Sequence, residues 1–142
     1  MTVLTLKKAN QIINAALATA RHLNLAPLTV VVLDEHGNLK AMQREDGASL
    51  LKQDIATAKA WGAVNMSMSS RSLAVMAEQR PAFMTALVNI ANGKVMPAPG
   101  GVLIRDEDNL IIGAIGISGD VSDQDERSAI AGIKEAGLIA GI

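Results

Sequence analysis

Apolar residues return every three or four positions from the start of the chain. Ala9, Ile12, Ile13, Ala16, Leu17, Ala20 and Leu23 fall on one side of a helical wheel, with Lys7, Lys8, Asn10, Gln11 and Asn14 mostly opposite. This spacing predicts an amphipathic helix over 5–23 that buries one stripe, with Thr5 as its N-cap. Asn24, Ala26 and Pro27 end it, because proline disfavours helical geometry at the preceding residue. The pattern then becomes β-branched. Leu28 to Leu33 and Leu39 to Arg44 read as two strands joined by Asp34-Glu35-His36-Gly37-Asn38, where Gly37 and Asn38 tolerate positive φ. An antiparallel hairpin is expected.

From 48 to 92 the helical period returns. Leu51, Ile55, Ala58, Gly62 and Met66 mark the expected apolar face of one helix, and the sequence breaks at Met66-Ser67-Met68-Ser69-Ser70. Ser70 is the expected cap of a short helix, and Pro81 opens another whose core side is expected at Phe83, Leu87, Ile90 and Ala91 before Asn92-Gly93. Val102 to Arg105 and Leu110 to Ile117 then flank an acidic turn, giving a second hairpin. A helix over 123–140 is expected last, with Ser122 and Asp125 at capping-box spacing. The order α-ββ-α-α-α-ββ-α predicts one α+β domain over 1–142, a mainly antiparallel central sheet covered by helices. A doubly wound dinucleotide fold needs long crossovers that this order lacks.

Composition narrows the function. Hydrophobic residues make up 49% and charged residues 19% of the 142, which favours a packed domain over disorder. A net charge of −1 and only two aromatic side chains, Trp61 and Phe83, argue against nucleic-acid binding. The absence of cysteine excludes disulfides, iron–sulfur clusters, thiolate catalysis and the usual structural zinc sites. Lys7-Lys8 are not followed by the apolar stretch of a secretory leader, and no apolar run approaches the ~20 residues of a bilayer span, so a soluble cytoplasmic protein is expected.

Four sets of residues bear on chemistry. Gly113, Gly116 and Gly119, with Gly100-Gly101 before the same hairpin, predict either tight packing against the last helix or a bare surface for a flat ligand. Asp120, Asp123, Asp125 and Glu126 crowd the start of the last helix, where negative charge suits the helix dipole. Arg44 and Asp46 project to one side of a strand end just before Gly47. Lys59 lies beside an apolar helix face, where its stem can snorkel or its amine can transfer protons. His22 and His36 are the only histidines, and neither belongs to a zinc-binding or nucleophilic motif.

Asp34-x-x-Gly37-Asn38-Leu39, Arg44-Glu45-Asp46-Gly47-Ala48, Lys59-Ala60, Pro99-Gly100-Gly101-Val102, Gly113-Ala114-Ile115-Gly116-Ile117-Ser118-Gly119 and Asp125-Glu126 occur in that order. In this the chain resembles the GlcG/HbpS-like family, which includes the C-terminal domain of PduO-type proteins. Glu45 stands where the family usually has methionine, and Leu103 where it usually has proline. The resemblance implies a profilin- or PAS-like fold, homo-oligomers (octamers among them) and binding of haem or a corrinoid. Arg44, Asp46, Gly47, Lys59, Gly100, Gly101, Gly116 and Asp125 are then the expected ligand site. His22, on a rigid helix, is the expected axial ligand if iron is bound. Two other readings stand beside the tetrapyrrole-binding accessory protein: an enzyme acting on a carboxylate through Arg44, Asp46 and Lys59, and an assembly partner without a ligand.

Overall fold

A computed structural model describes residues 2–142. Thr5 has an extended backbone and accepts the Lys8 N–H on its hydroxyl at 3.1 Å, which starts helix α1 (Leu6–His22) as expected. Strands β1 (Thr29–Asp34) and β2 (Leu39–Arg44) form the first hairpin. Three helices follow, α2 (Leu50–Met66), α3 (Ser70–Gln79) and α4 (Pro81–Ile90), then the second hairpin β3 (Gly101–Arg105) and β4 (Ile111–Ser118). Helix α5 (Ser122–Glu135) and a short strand β5 (Ile139–Gly141) end the chain.

The five strands lie in the order β2-β1-β4-β3-β5, and every neighbouring pair is antiparallel. Side chains alternate along each strand and therefore divide between two faces. Val30, Val32, Ile104, Ile115 and Ile117 pack with α1 and α5, whereas Val31, Leu33, Leu103 and Ala114 pack with α2. The α+β architecture is thus the expected one, with both sheet faces covered.

Four local expectations are corrected. Leu51 is exposed, and α2 instead turns Ala56, Ala60 and Ala63 to the sheet, a stripe of small residues that lets two backbones approach. Ser69, not Ser70, caps α3 by accepting the Ser72 N–H at 3.2 Å. In α4 the buried residue is Met84, while Phe83 lies exposed beneath the Arg80 guanidinium and Ile90 is 80% exposed. Helix α5 starts at a Val121 cap without the Ser122 capping box and stops at Glu135 rather than reaching 140. Gly137 takes a φ of +78° and donates to Lys134 O while Leu138 donates to Ile133 O, a closure that glycine allows and that turns the chain into β5.

Two of the sheet glycines, Gly101 and Gly116, are explained by α2 and not by α5, whereas Gly113 packs on Leu33 and Leu4, and Gly119 on Pro27 and Leu28. Gly101 and Gly116 sit opposite one another on β3 and β4. A Cβ on Gly116 would overlap the Ala56 carbonyl oxygen, and one on Gly101 would overlap the Lys59 carbonyl oxygen. The bare surface expected to admit a flat ligand is therefore occupied by the α2 backbone.

Candidate functional site

Lys59 lies midway along α2, directly over this glycine pair. Its Nζ donates to Ile117 O at 2.9 Å and to Asp125 Oδ2 at 3.2 Å, and the two charged side chains are only 3% and 1% exposed. Asp125 projects from α5, and its other oxygen accepts the Asp120 N–H at 3.0 Å. Gly100, at a φ of +127°, leaves room for the ammonium, since a Cβ there would lie 2.8 Å from Nζ. Next to it, the Gly101 N–H donates to Ser70 Oγ at 2.6 Å. Burial pushes the Lys59 amine below its ordinary value and the Asp125 carboxyl above its own, and their mutual attraction opposes both shifts. Five of the expected site residues (Lys59, Gly100, Gly101, Gly116 and Asp125) thus meet in a sealed pair joining α2, β4 and α5.

The other three lie elsewhere. Arg44 pairs with Thr29 and shares the α2 side of the sheet, but its guanidinium donates to Ala48 O at 2.9 Å. Arg44 and Asp46 line an open cleft of about 400 Å³ with Arg21, Pro27 and Glu45, and Gly47 packs on Pro27 at its positive φ of +87°. Glu45 accepts the Leu28 N–H at 2.8 Å and pairs with Arg21 at 3.1 Å, so it anchors the hairpin to α1. Lys59 lines neither this cleft nor the larger one described next. The expected single concave site is therefore two separate places, because α2 carries Lys59 down into the core while Arg44 stays at the sheet rim.

A larger cleft, about 590 Å³, opens between the first hairpin, α2 and the 92–94 turn. Leu33, Met42 and Trp61 supply apolar wall, while His36, Asp54 and Lys94 supply polar groups. His36 is exposed, with Nε2 3.4 Å from the Glu35 carboxylate. His22 is exposed in the last turn of α1, next to Arg21. Among the described residues, no three His, Cys, Asp or Glu side chains gather into a metal site. Trp61, Asp54 and Lys94 were not legible as a set. The available signal was the sole tryptophan standing at helical spacing from Thr57 and Asp54.

The family profile described as "Haem degrading protein HbpS-like" matches residues 4–134. The chain belongs to the HbpS-like family. The corrinoid adenosyltransferase PduO of Salmonella typhimurium strain LT2 is 33% identical over 127 residues, which is 87% of this chain and 37% of that protein. PduO of Citrobacter freundii is 32% identical over 133 residues, 92% of this chain and 39% of that protein. The chain thus spans less than two-fifths of the length of these curated relatives. Among solved structures, the PduOC:haem complex is similar along 99% of this chain and 100% of that chain, with a TM-score of 0.88 and 28% identity. A double mutant of Streptomyces reticuli HbpS matches 94% of this chain and 87% of its own, with a TM-score of 0.82 and 30% identity. The HbpS-like fold therefore holds over essentially all the described residues, and no helix among them is long and apolar enough to cross a membrane.

Proposed function

We propose that this HbpS-like chain is an accessory protein that binds haem or a related tetrapyrrole, a corrinoid included, as part of a small-molecule pathway. The observation that carries this reading is the likeness, over nearly the whole chain, to a relative solved as a haem complex. The donor set fits such a group. Without cysteine, a ring nitrogen is the strongest iron ligand available, and His22 offers one on a rigid helix end open to solvent. Arg21 beside it and Arg44 line one cleft with Glu45 and Asp46. Arg21 pairs with Glu45 and Arg44 donates to Ala48 O, so haem propionates would share these guanidinium groups with partners inside the chain. When bound, the tetrapyrrole supplies the redox or ligand chemistry. The chain's own residues would hold it, His22 through a ring nitrogen and the arginines at the propionate edge. The acid–base reading of Arg44, Asp46 and Lys59 has no such support, since Lys59 is shut in an ion pair away from both arginine and cleft.

The test is a haem titration followed at the Soret band, with wild type, His22→Ala and His36→Ala. Saturation by wild type is expected, with a shifted band and weaker binding in His22→Ala and an unchanged titration in His36→Ala. An unaltered His22→Ala variant unseats the axial assignment, and failure of the wild type to bind haem or a corrinoid removes the reading altogether.

A further inference from the structure

The larger cleft lies between α2 and the first hairpin, and neither the glycine seam nor the arginine cleft uses it. We infer that it is a second binding site, one that takes a flat aromatic molecule carrying a single negative charge. Its volume of about 590 Å³ suits a small ligand rather than a water cluster. One wall is preorganised. Trp61 is half-buried, and Gly37 packs on the edge of its indole, where a Cβ would come within 3.3 Å of both Cδ1 and Nε1. Gly37 also holds a φ of +85°, so the hairpin tip clamps the ring by a turn that only glycine readily makes.

Charge sets the class of ligand. Lys94 is exposed and holds its Nζ over the Trp61 ring, 5.4 Å from the centroid, so a cation stands at the ring face within the cleft. Asp54 lines the same cleft from α2, two helical turns before Trp61, about 10 Å along the axis. An anion is drawn to the Lys94 end, and a second negative charge at the other end meets Asp54. A monoanionic aromatic acid satisfies both ends. Asn92 and Gly93, both at positive φ, close the cleft beside Lys94.

Two fluorescent probes of similar shape test this: 1-anilinonaphthalene-8-sulfonate, which is anionic, and N-phenyl-1-naphthylamine, its neutral counterpart. The intact chain is expected to bind one sulfonate probe per chain with enhanced emission. Replacing exposed Lys94 by alanine should weaken that probe about fivefold, as loss of one solvent-exposed ion pair predicts, while leaving the neutral probe's affinity alone. Thr57→Phe, which fills the cleft between Asp54 and Trp61, should abolish binding of both probes with circular dichroism unchanged. The inference is overturned if the intact chain binds neither probe, if Thr57→Phe binds both as the intact chain does, or if Lys94→Ala weakens the two equally. Lys94 is outside the core, so its variant decides the question of charge even should Thr57→Phe fail to fold.

Discussion

A lysine ammonium withdrawn from water is costly unless something replaces its hydration. Lys59 finds a backbone carbonyl and a carboxylate, and Asp125 in turn finds a backbone N–H. Removing one partner leaves the other charged and buried, which typically costs about 3–5 kcal/mol, whereas replacing both by apolar groups is often close to neutral. Lys59→Met is therefore expected to lower unfolding stability by about that amount, and Lys59→Met with Asp125→Leu to recover most of it. Urea titrations compared at constant slope check this, and a single variant within about 0.5 kcal/mol of the parent contradicts it, since that is the range of ordinary surface substitutions. The sequence shows Lys59 on an apolar face and Asp125 in an acidic helix start, each with an ordinary local explanation. Their partnership spans 66 positions and depends on two strand glycines letting α2 descend, a relation no local spacing encodes.

The turn between β3 and β4 shows how an element can be held by one side chain. Asp106 accepts the Leu110 N–H at 3.0 Å and the Asp108 N–H at 2.9 Å, with Thr2 N at 3.4 Å. The Leu110 hydrogen bond is the largest of the contributions that hold this carboxyl below its ordinary 3.8. A folded value below the unfolded one means that the stabilisation is complete above about 3.8 and is lost as pH falls through the folded value. Asp106→Asn should start less stable at neutral pH and then lose less between pH 4 and 2, so the two thermal-melting curves converge. Parallel curves contradict this. Asp120, lowered chiefly by the Ala26 N–H, keeps its own share, so the slope shrinks without vanishing. At this scale much was legible. The period of α1 follows from one exposed and one buried side, the case in which pattern and burial agree, and the hairpin turns follow from their glycine, asparagine and aspartate residues. Helix α2 departs from its expected face because its sheet side uses alanines rather than leucines, and α4 because Phe83 and Ile90 face outward while Met84 joins Ala91 in the core. The end of α5 was missed because Gly137 looks like one more small helical residue until its positive φ is known.

Across the whole molecule, Gly132 and the residues of β5 pack the last segment against the rest of the chain. Gly132 packs so closely on α1 that a Cβ would lie 2.6 Å from Ile12 O, and Ala140 and Gly141 belong to β5. The case for assembly rests on surfaces left open: the free edge of β2 and the exposed Leu39, Leu50, Leu51, Phe83 and Ile90. An unpaired edge together with exposed apolar side chains favours closed association with further copies. A homo-oligomer larger than a dimer is expected by light scattering, and a mass of about 15 kDa at micromolar concentration contradicts it. The sheet order has a consequence for how the chain reaches this state. Each hairpin closes over a short turn, yet the centre of the sheet joins Thr29 to Ser118 and Asp34 to Gly113, across all three middle helices. Loop-closure entropy therefore falls on one event, the meeting of two hairpins that are each exposed along an edge until they find one another. Helices and hairpins form from local contacts, whereas the β1–β4 seam has to wait for a long-range encounter, which places this domain among the slower folders of its size.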